Sequence, residues 1–313
     1  MKDISTTWRG HAAMLTANIL WGLMAPVSKD ALNYFASADI SPFVLPAFRI
    51  LGATIAFWIA SIFMPHEHVP AKDKLRLLCA GLLCIVFNQN MFIVGVSFTE
   101  PIDASVITTM LPIATMILAA IVLREPITFL KAGGVIVGMT GALLLILSGG
   151  KGLTLDHNHL VGDLMCLSAQ VSFACYLVFF KSTIARYRPV TLMKWMFLFS
   201  SIVYMPFMAG NIAAIDYSAM PLTVGGEILY VVFAATFFTF FLVPIGQKLL
   251  RPTVVSSYNY VQPVVSTIVS LIWGLATFGL LKGIAVSLVF IGVYLVTQSK
   301  SRQNIENDKR EQA

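Results

Sequence analysis

Glu100–Leu145 opens on EPIDASVITTMLPIATM, passes FLKAGG at 129–134 and closes on TGALLL at 140–145. Arg251–Val296 answers with RPTVVSSYNYVQPVVST, LLKGIA at 280–285 and IGVYLV at 291–296. One gapless offset carries Pro101 onto Pro252, Ser105 onto Ser256, Pro112 onto Pro263, Lys131 onto Lys282 and Gly141 onto Gly292. Nearly the same offset takes Gly10 to Gly162 and Lys29 to Lys181. Apolar segments align readily, so a single match means little. A proline and glycine frame held across two whole segments marks a duplication. If each half holds an odd number of membrane spans, the halves lie upside down relative to each other, the architecture of secondary transporters with a central site.

Composition makes lipid the solvent. The chain is 58% hydrophobic and only 12% charged, too little charge to clothe a soluble protein of 313 residues. A spanning helix needs about 20 largely apolar residues. Ten such stretches are expected, near 11–33, 43–64, 75–97, 103–123, 129–148, 161–182, 191–209, 227–247, 253–274 and 279–298. The expected fold is all-α: a polytopic membrane protein of ten transmembrane helices in two inverted five-helix repeats. The first repeat covers 1–149 and the second 160–299, with an outer connecting loop at 150–159 and a cytoplasmic tail at 300–313.

The net charge of +6 reflects topology rather than nucleic-acid binding. Lys and Arg fall in alternate loops: Lys2 and Arg9; Lys72, Lys74 and Arg76; Arg124 and Lys131; Lys181, Arg186, Arg188 and Lys194; Lys248 and Arg251. The remaining loops carry Asp39, Glu100, Asp216 and Glu227, with Lys151 the main exception. Basic loops stay inside, which places both termini in the cytoplasm. The same rule explains why Glu100 becomes Arg251: one helix start faces opposite sides in the two halves. Trp8, Trp58, Trp195 and Trp273 lie near span ends and read as interface anchors, whereas Trp21 lies within a span.

Polar residues inside apolar spans are the candidate pathway. The fourth span sets Ser105, Thr108, Pro112 and Thr115 on one helical face, and the ninth answers with Ser256, Asn259, Pro263 and Ser266, Tyr260 alongside. Each proline frees the carbonyl four residues earlier, on Thr108 and on Asn259. Freed backbone at membrane depth is tolerated against protein or a wet cavity. The alternative is that the hydroxyls bond their own helix and the prolines are packing kinks. Asn18 and Gln170 occupy the first and sixth spans, where an amide finds another helix or a substrate. Lys29 and Lys181, nearby, fit snorkelling helix ends. Asn88, Gln89 and Asn90 run consecutively, so at most two of them point inward. Arg49 is a charge well inside a span. It suits a carboxylate-bearing substrate, an ion pair with Glu100 or Asp103, or backbone carbonyls near the outer surface.

No Asp or Glu lies near the centre of any expected span, so proton coupling would run through Asp103 or His11, with uniport or exchange as alternatives. Asp103 and Asp163 fit N-caps at outer helix starts. The sequence has no phosphate-cradling loop, HExxH or GxSxG element, and its cysteines and histidines lack metal spacing, so no cofactor, metal or catalytic residue is expected. The stripe Gly134, Gly138 and Gly141 allows close helix approach, within the chain or against a second copy in a homodimer.

NILWGLMAPVSKDAL at 18–32, Arg49 in the second span, SFTEPIDASVI before the fourth and LREPIT at 123–128 resemble the first half of drug/metabolite transporters of the EamA type. The resemblance covers nearly the whole chain. It implies an alternating-access carrier in the bacterial inner membrane, often an exporter of amino acids or other small metabolites. It also implies a pathway enclosed by the first, third, fourth, sixth, eighth and ninth helices. The second half departs where Leu275, Ala276 and Thr277 replace Arg124, Glu125 and Pro126, so Glu125 is a gate candidate without a symmetric mate. Two other classes remain open on sequence: an intramembrane enzyme acting on a lipid-linked substrate, and a non-transporting scaffold.

Overall fold

A computed structural model describes residues 4–27, 31, 34–35, 37–41, 43–98, 107–147, 157–272 and 280–299. Among them every regular element is helical. The long helices are α1 (Ile4–Val27), α2 (Val44–Ile62), α3 (71–98), α4 (Leu111–Val122), α5 (Phe129–Leu147), α6 (His157–Phe179), α7 (Pro189–Ala213), α8 (Leu222–Leu249), α9 (252–272) and α10 (Leu280–Gln298). A short helix, Lys181–Arg186, follows α6. Among the described residues, Leu111–Val122, Phe129–Leu144 and Gly283–Gln298 are shorter apolar helices. Val44–Ile62, Ala71–Phe92, Leu160–Phe179, Pro189–Ala213 and Leu222–Leu249 are each long and apolar enough to cross a bilayer. The molecule is an all-α polytopic membrane protein. Helix α6 starts at His157, earlier than expected, so Asp163 lies in its second turn and is not a cap.

Large apolar side chains cover the outside. Phe129, Leu222, Phe63, Ile62 and Phe207 are all more than two-thirds exposed, the arrangement a lipid solvent favours. Inside, Phe57 stacks on Phe197 at 5.5 Å, and Phe197 meets Phe240 edge-on at 5.2 Å, joining α2, α7 and α8. The glycine stripe of α5 is used within the chain. A Cβ on Gly292 of α10 would overlap the backbone of Gly138, and one on Gly138 would lie 2.7 Å from the Tyr260 ring.

Two departures from α-helical geometry recur. Leu82–Phe87 in α3 and Phe233–Phe238 in α8 are π-helical turns, and the offset that carries Pro101 onto Pro252 carries one turn onto the other. The same offset relates a tight turn at Tyr258–Tyr260 in α9 to the break at 107–110 that precedes α4. Pro263 and Pro112 follow these turns, as expected where a missing N–H interrupts the helical ladder. Residues of π-turns lack the usual i−4 bond, which leaves backbone carbonyls for other partners.

Candidate functional site

Helices α1 and α9 meet through an amide chain. Asn18, fully buried, donates from Nδ2 to the Met14 carbonyl at 2.8 Å and accepts from Gln262 Nε2 at 2.9 Å. Gln262 Nε2 also donates to Asn259 Oδ1 at 2.8 Å. One turn along α1, the Trp21 indole N–H donates to the Ala235 carbonyl at 2.9 Å, inside the π-turn of α8. Its ring lies edge-on to Phe240 and Phe173. In α6, Ser172 stands next to Phe173, the residue that the α1-to-α6 offset matches to Trp21, and Ser172 donates to the Leu83 carbonyl at 2.9 Å, inside the π-turn of α3. Each half thus satisfies a carbonyl in the other half's π-turn.

Arg49 points at the same region. The residue is 9% exposed, and its Nε donates to Thr236 Oγ1 at 2.8 Å, also in the π-turn of α8. Thr236 Oγ1 in turn donates to the Val231 carbonyl at 2.7 Å. The ion pairs among the described residues involve Asp73 and Glu125, and none reaches Arg49. The Arg49 guanidinium is thus buried with one neutral hydroxyl as its described partner. Its counterpart by offset is Ser200, whose buried hydroxyl has no partner among the described residues.

The three consecutive amides of α3 diverge as their spacing requires. Asn88 donates to the Ala169 carbonyl of α6 at 2.8 Å, and Asn90 accepts from Tyr204 of α7 at 2.7 Å. Gln89 lies between these directions and is 7% exposed, with neither amide atom hydrogen-bonded. Phe87, two residues back and about 200° round the helix, is 43% exposed to the lipid side. Gln89 therefore faces inward. Gln170 of α6 is buried too, and no side-chain hydrogen bond is described for it.

The hydroxyl stripes divide between the two readings. Thr115 bonds the Leu111 carbonyl and Ser256 the Thr253 carbonyl, each within its own helix. Thr108 is half-buried at the break before α4, Pro112 is buried in the first turn of α4, and Pro263 is half-buried in α9. Tyr260 is fully buried and donates to the Val135 carbonyl of α5 at 3.1 Å, a packing role. Ser105, Glu100, Asp103 and Lys29 lie outside the described residues.

On the face carrying the basic loops, two carboxylates tie the halves together. Helix α4 ends with Arg124 in the left-handed region (φ 52°), and Glu125 N–H turns back to the Ala119 carbonyl. That turn sends the Glu125 side chain inward, where it pairs with Lys131 at 2.8 Å and Lys181 at 3.5 Å. Lys131 is fully buried. At the start of α3, Asp73 accepts from Arg186 at 2.6 Å, Tyr187 at 2.5 Å and Arg76 at 3.3 Å. Sequence reasoning missed Gln262, Thr236, Ser172 and Asp73. Gln262, three residues after Asn259 on the polar face of α9, was within reach of the pattern.

The profile of the EamA-like transporter family matches this chain twice, over residues 8–147 and 160–298. An uncharacterised transporter of Archaeoglobus fulgidus is 25% identical over 90% of this chain and 95% of its own length. The transporter YvbV of Bacillus subtilis is 27% identical over 97% and 96%, respectively. The S-adenosylmethionine uptake transporter of Rickettsia prowazekii is 21% identical over 80% and 82%. A crystal structure sharing 17% identity superposes with a TM-score of 0.76 over 94% of this chain and 96% of the other, which establishes the fold. Two profile matches that together span nearly the whole chain decide the matter: this protein belongs to the EamA-like transporter family.

Proposed function

We propose that this membrane transporter exports a small metabolite carrying a carboxylate, an amino acid foremost, across the bacterial inner membrane by alternating access. In this reading residues 1–149 and 160–299 form two inverted five-helix repeats with both termini in the cytoplasm. The observation that carries the substrate class is Arg49, a buried cation whose described contact is one hydroxyl. A substrate carboxylate supplies the bidentate partner that a guanidinium favours. The unpaired amide of Gln89 and the amide chain Asn18–Gln262–Asn259 would orient its polar groups, with Trp21 against its apolar part. Residues acting as substrate ligands are expected to be under-bonded when the site is empty.

The test is counterflow of radiolabelled amino acids in proteoliposomes. Arg49→Ala, Asn259→Ala and Thr108→Val should each cut flux at least tenfold at matched protein levels; wild-type flux in all three overturns the site. A second reading, uptake, follows from the Rickettsia relative, since S-adenosylmethionine also presents an amino-acid carboxylate. Accumulation of the substrate in the medium of overexpressing cells, and its decline in deletion cells, distinguishes export from uptake.

A further inference from the structure

On the basic-loop face, α2, α3 and α7 bring together a cluster that includes none of the residues of the proposed substrate site. Trp58 of α2 and Trp195 of α7 meet edge-to-face at 5.7 Å. Lys194 Nζ stands 5.1 Å from the Trp58 ring centre, and Lys74 Nζ of α3 stands 4.4 Å from that of Trp195. Neither ammonium has an acidic partner among the described residues. The nearest carboxylate along the chain from Lys74, Asp73, already serves Arg76, Arg186 and Tyr187.

The duplication supplies an internal control. The offset puts Ala209 opposite Trp58, Gly225 opposite Lys74, Phe43 opposite Lys194 and Val44 opposite Trp195. All four members are absent at the equivalent positions, so the helix frame does not require them. Loop-charge rules account for the lysines on this face, but not for a pair of indoles that pins them. Trp58 is 37% exposed and continues a lipid-facing stripe on α2 formed by Leu51, Ile55 and Ile62. Leu51 and Ile55 in turn line an apolar groove of about 280 Å³ shared with Val232 and Phe233 at the π-turn of α8.

We infer that Lys74, Lys194, Trp58 and Trp195 form a binding site for the headgroup of an anionic phospholipid, with its acyl chain along the α2 stripe toward the α8 groove. Two ammoniums held at fixed positions match a phosphodiester, indoles sit naturally at headgroup level, and the inner leaflet is where anionic lipid attracts basic residues. The leaflet assignment rests on the proposed orientation; the binding itself does not depend on transport or on its substrate.

Native mass spectrometry of the full chain, delipidated in neutral detergent, reads binding directly. Phosphatidylglycerol should be retained in preference to phosphatidylcholine of the same chains. K74Q/K194Q should lower phosphatidylglycerol retention at least tenfold and leave phosphatidylcholine unchanged, while K72Q, which removes a neighbouring exposed charge, should leave both unchanged. Equal retention of the two lipids by the unmodified protein, undiminished retention by the double variant, or an equal loss in K72Q overturns the site. So does displacement of phosphatidylglycerol by millimolar inorganic phosphate, which would mark a free-anion site. A double variant that melts earlier but keeps the lipid preference would show that the lysine–indole contacts only brace the helices, and overturns it too.

Discussion

Gln89 carries an energetic cost that folding alone gives no reason to retain. A buried polar group without a partner costs about 1–3 kcal/mol, and both amide atoms of Gln89 are in that position. Gln89→Leu, close in size and without polar atoms, should therefore raise the melting temperature while lowering transport at least tenfold. Thermal melts and counterflow on one preparation check both arms. A destabilised variant, or one with unimpaired flux, would mean that the amide is satisfied in some other way and serves packing. Thr236 offers the converse. Thr236→Val removes the hydroxyl beneath Arg49 Nε and leaves a buried charge less solvated, so it should cost roughly 2 kcal/mol in stability. Substrate affinity should change with it, because the guanidinium loses the contact that aims it.

At the scale of elements, α5 and α10 pack backbone against backbone. Gly292→Val would place carbon atoms against the Gly138 backbone, which has no side chain to swing aside. Overpacking of this kind costs about 1–3 kcal/mol or more, read as a lower melting temperature and a weaker yield of folded protein. Gly133 of the same helix has open space around its Cβ position, so Gly133→Ala should be neutral or stabilise by up to about 1 kcal/mol. The stripe Gly134, Gly138 and Gly141 was visible in sequence, but its partner was not, because a stripe records closeness without naming the neighbour. The prolines were more informative. Pro112 and Pro263 lack an N–H, a local and unconditional fact, and the helices break one turn before each. The π-turns had no such marker. LLCIVF and FAATFF contain neither proline nor glycine, and the donors to their carbonyls, Ser172 and Trp21, come from distant helices. The pairing of Lys181 was hidden for a similar reason: a lysine at a helix end looks like a snorkelling residue until the fold brings Glu125 to it.

Across the whole molecule, the two halves share a frame but not the ion pair of Glu125. Glu125 links its own half to Lys181 of the other, and the offset puts Ala276, which cannot form such a pair, at the equivalent position. Under the proposed alternating access a carrier breaks and re-forms its closures, and the Glu125–Lys181 pair on the basic-loop face is a candidate for one of them. Glu125→Gln alone strands a buried Lys131 charge, and losing one partner of a buried pair typically costs 3–5 kcal/mol. Adding Lys131→Met removes that charge, so the double variant should recover most of the stability while still lacking the tie to Lys181. The conformational consequence is then separable from the energetic one. Ser256, 1% exposed near the basic-loop end of α9, reports on access from that side. In a background without Cys79, a membrane-impermeant maleimide added to inside-out vesicles should label Ser256→Cys slowly. With Glu125→Gln and Lys131→Met together, labelling should rise at least fivefold, because the state open on that face loses an energetic competitor. Equal labelling rates in the two backgrounds would make Glu125 a structural staple, and the closure would have to be sought in the Asp73 cluster instead.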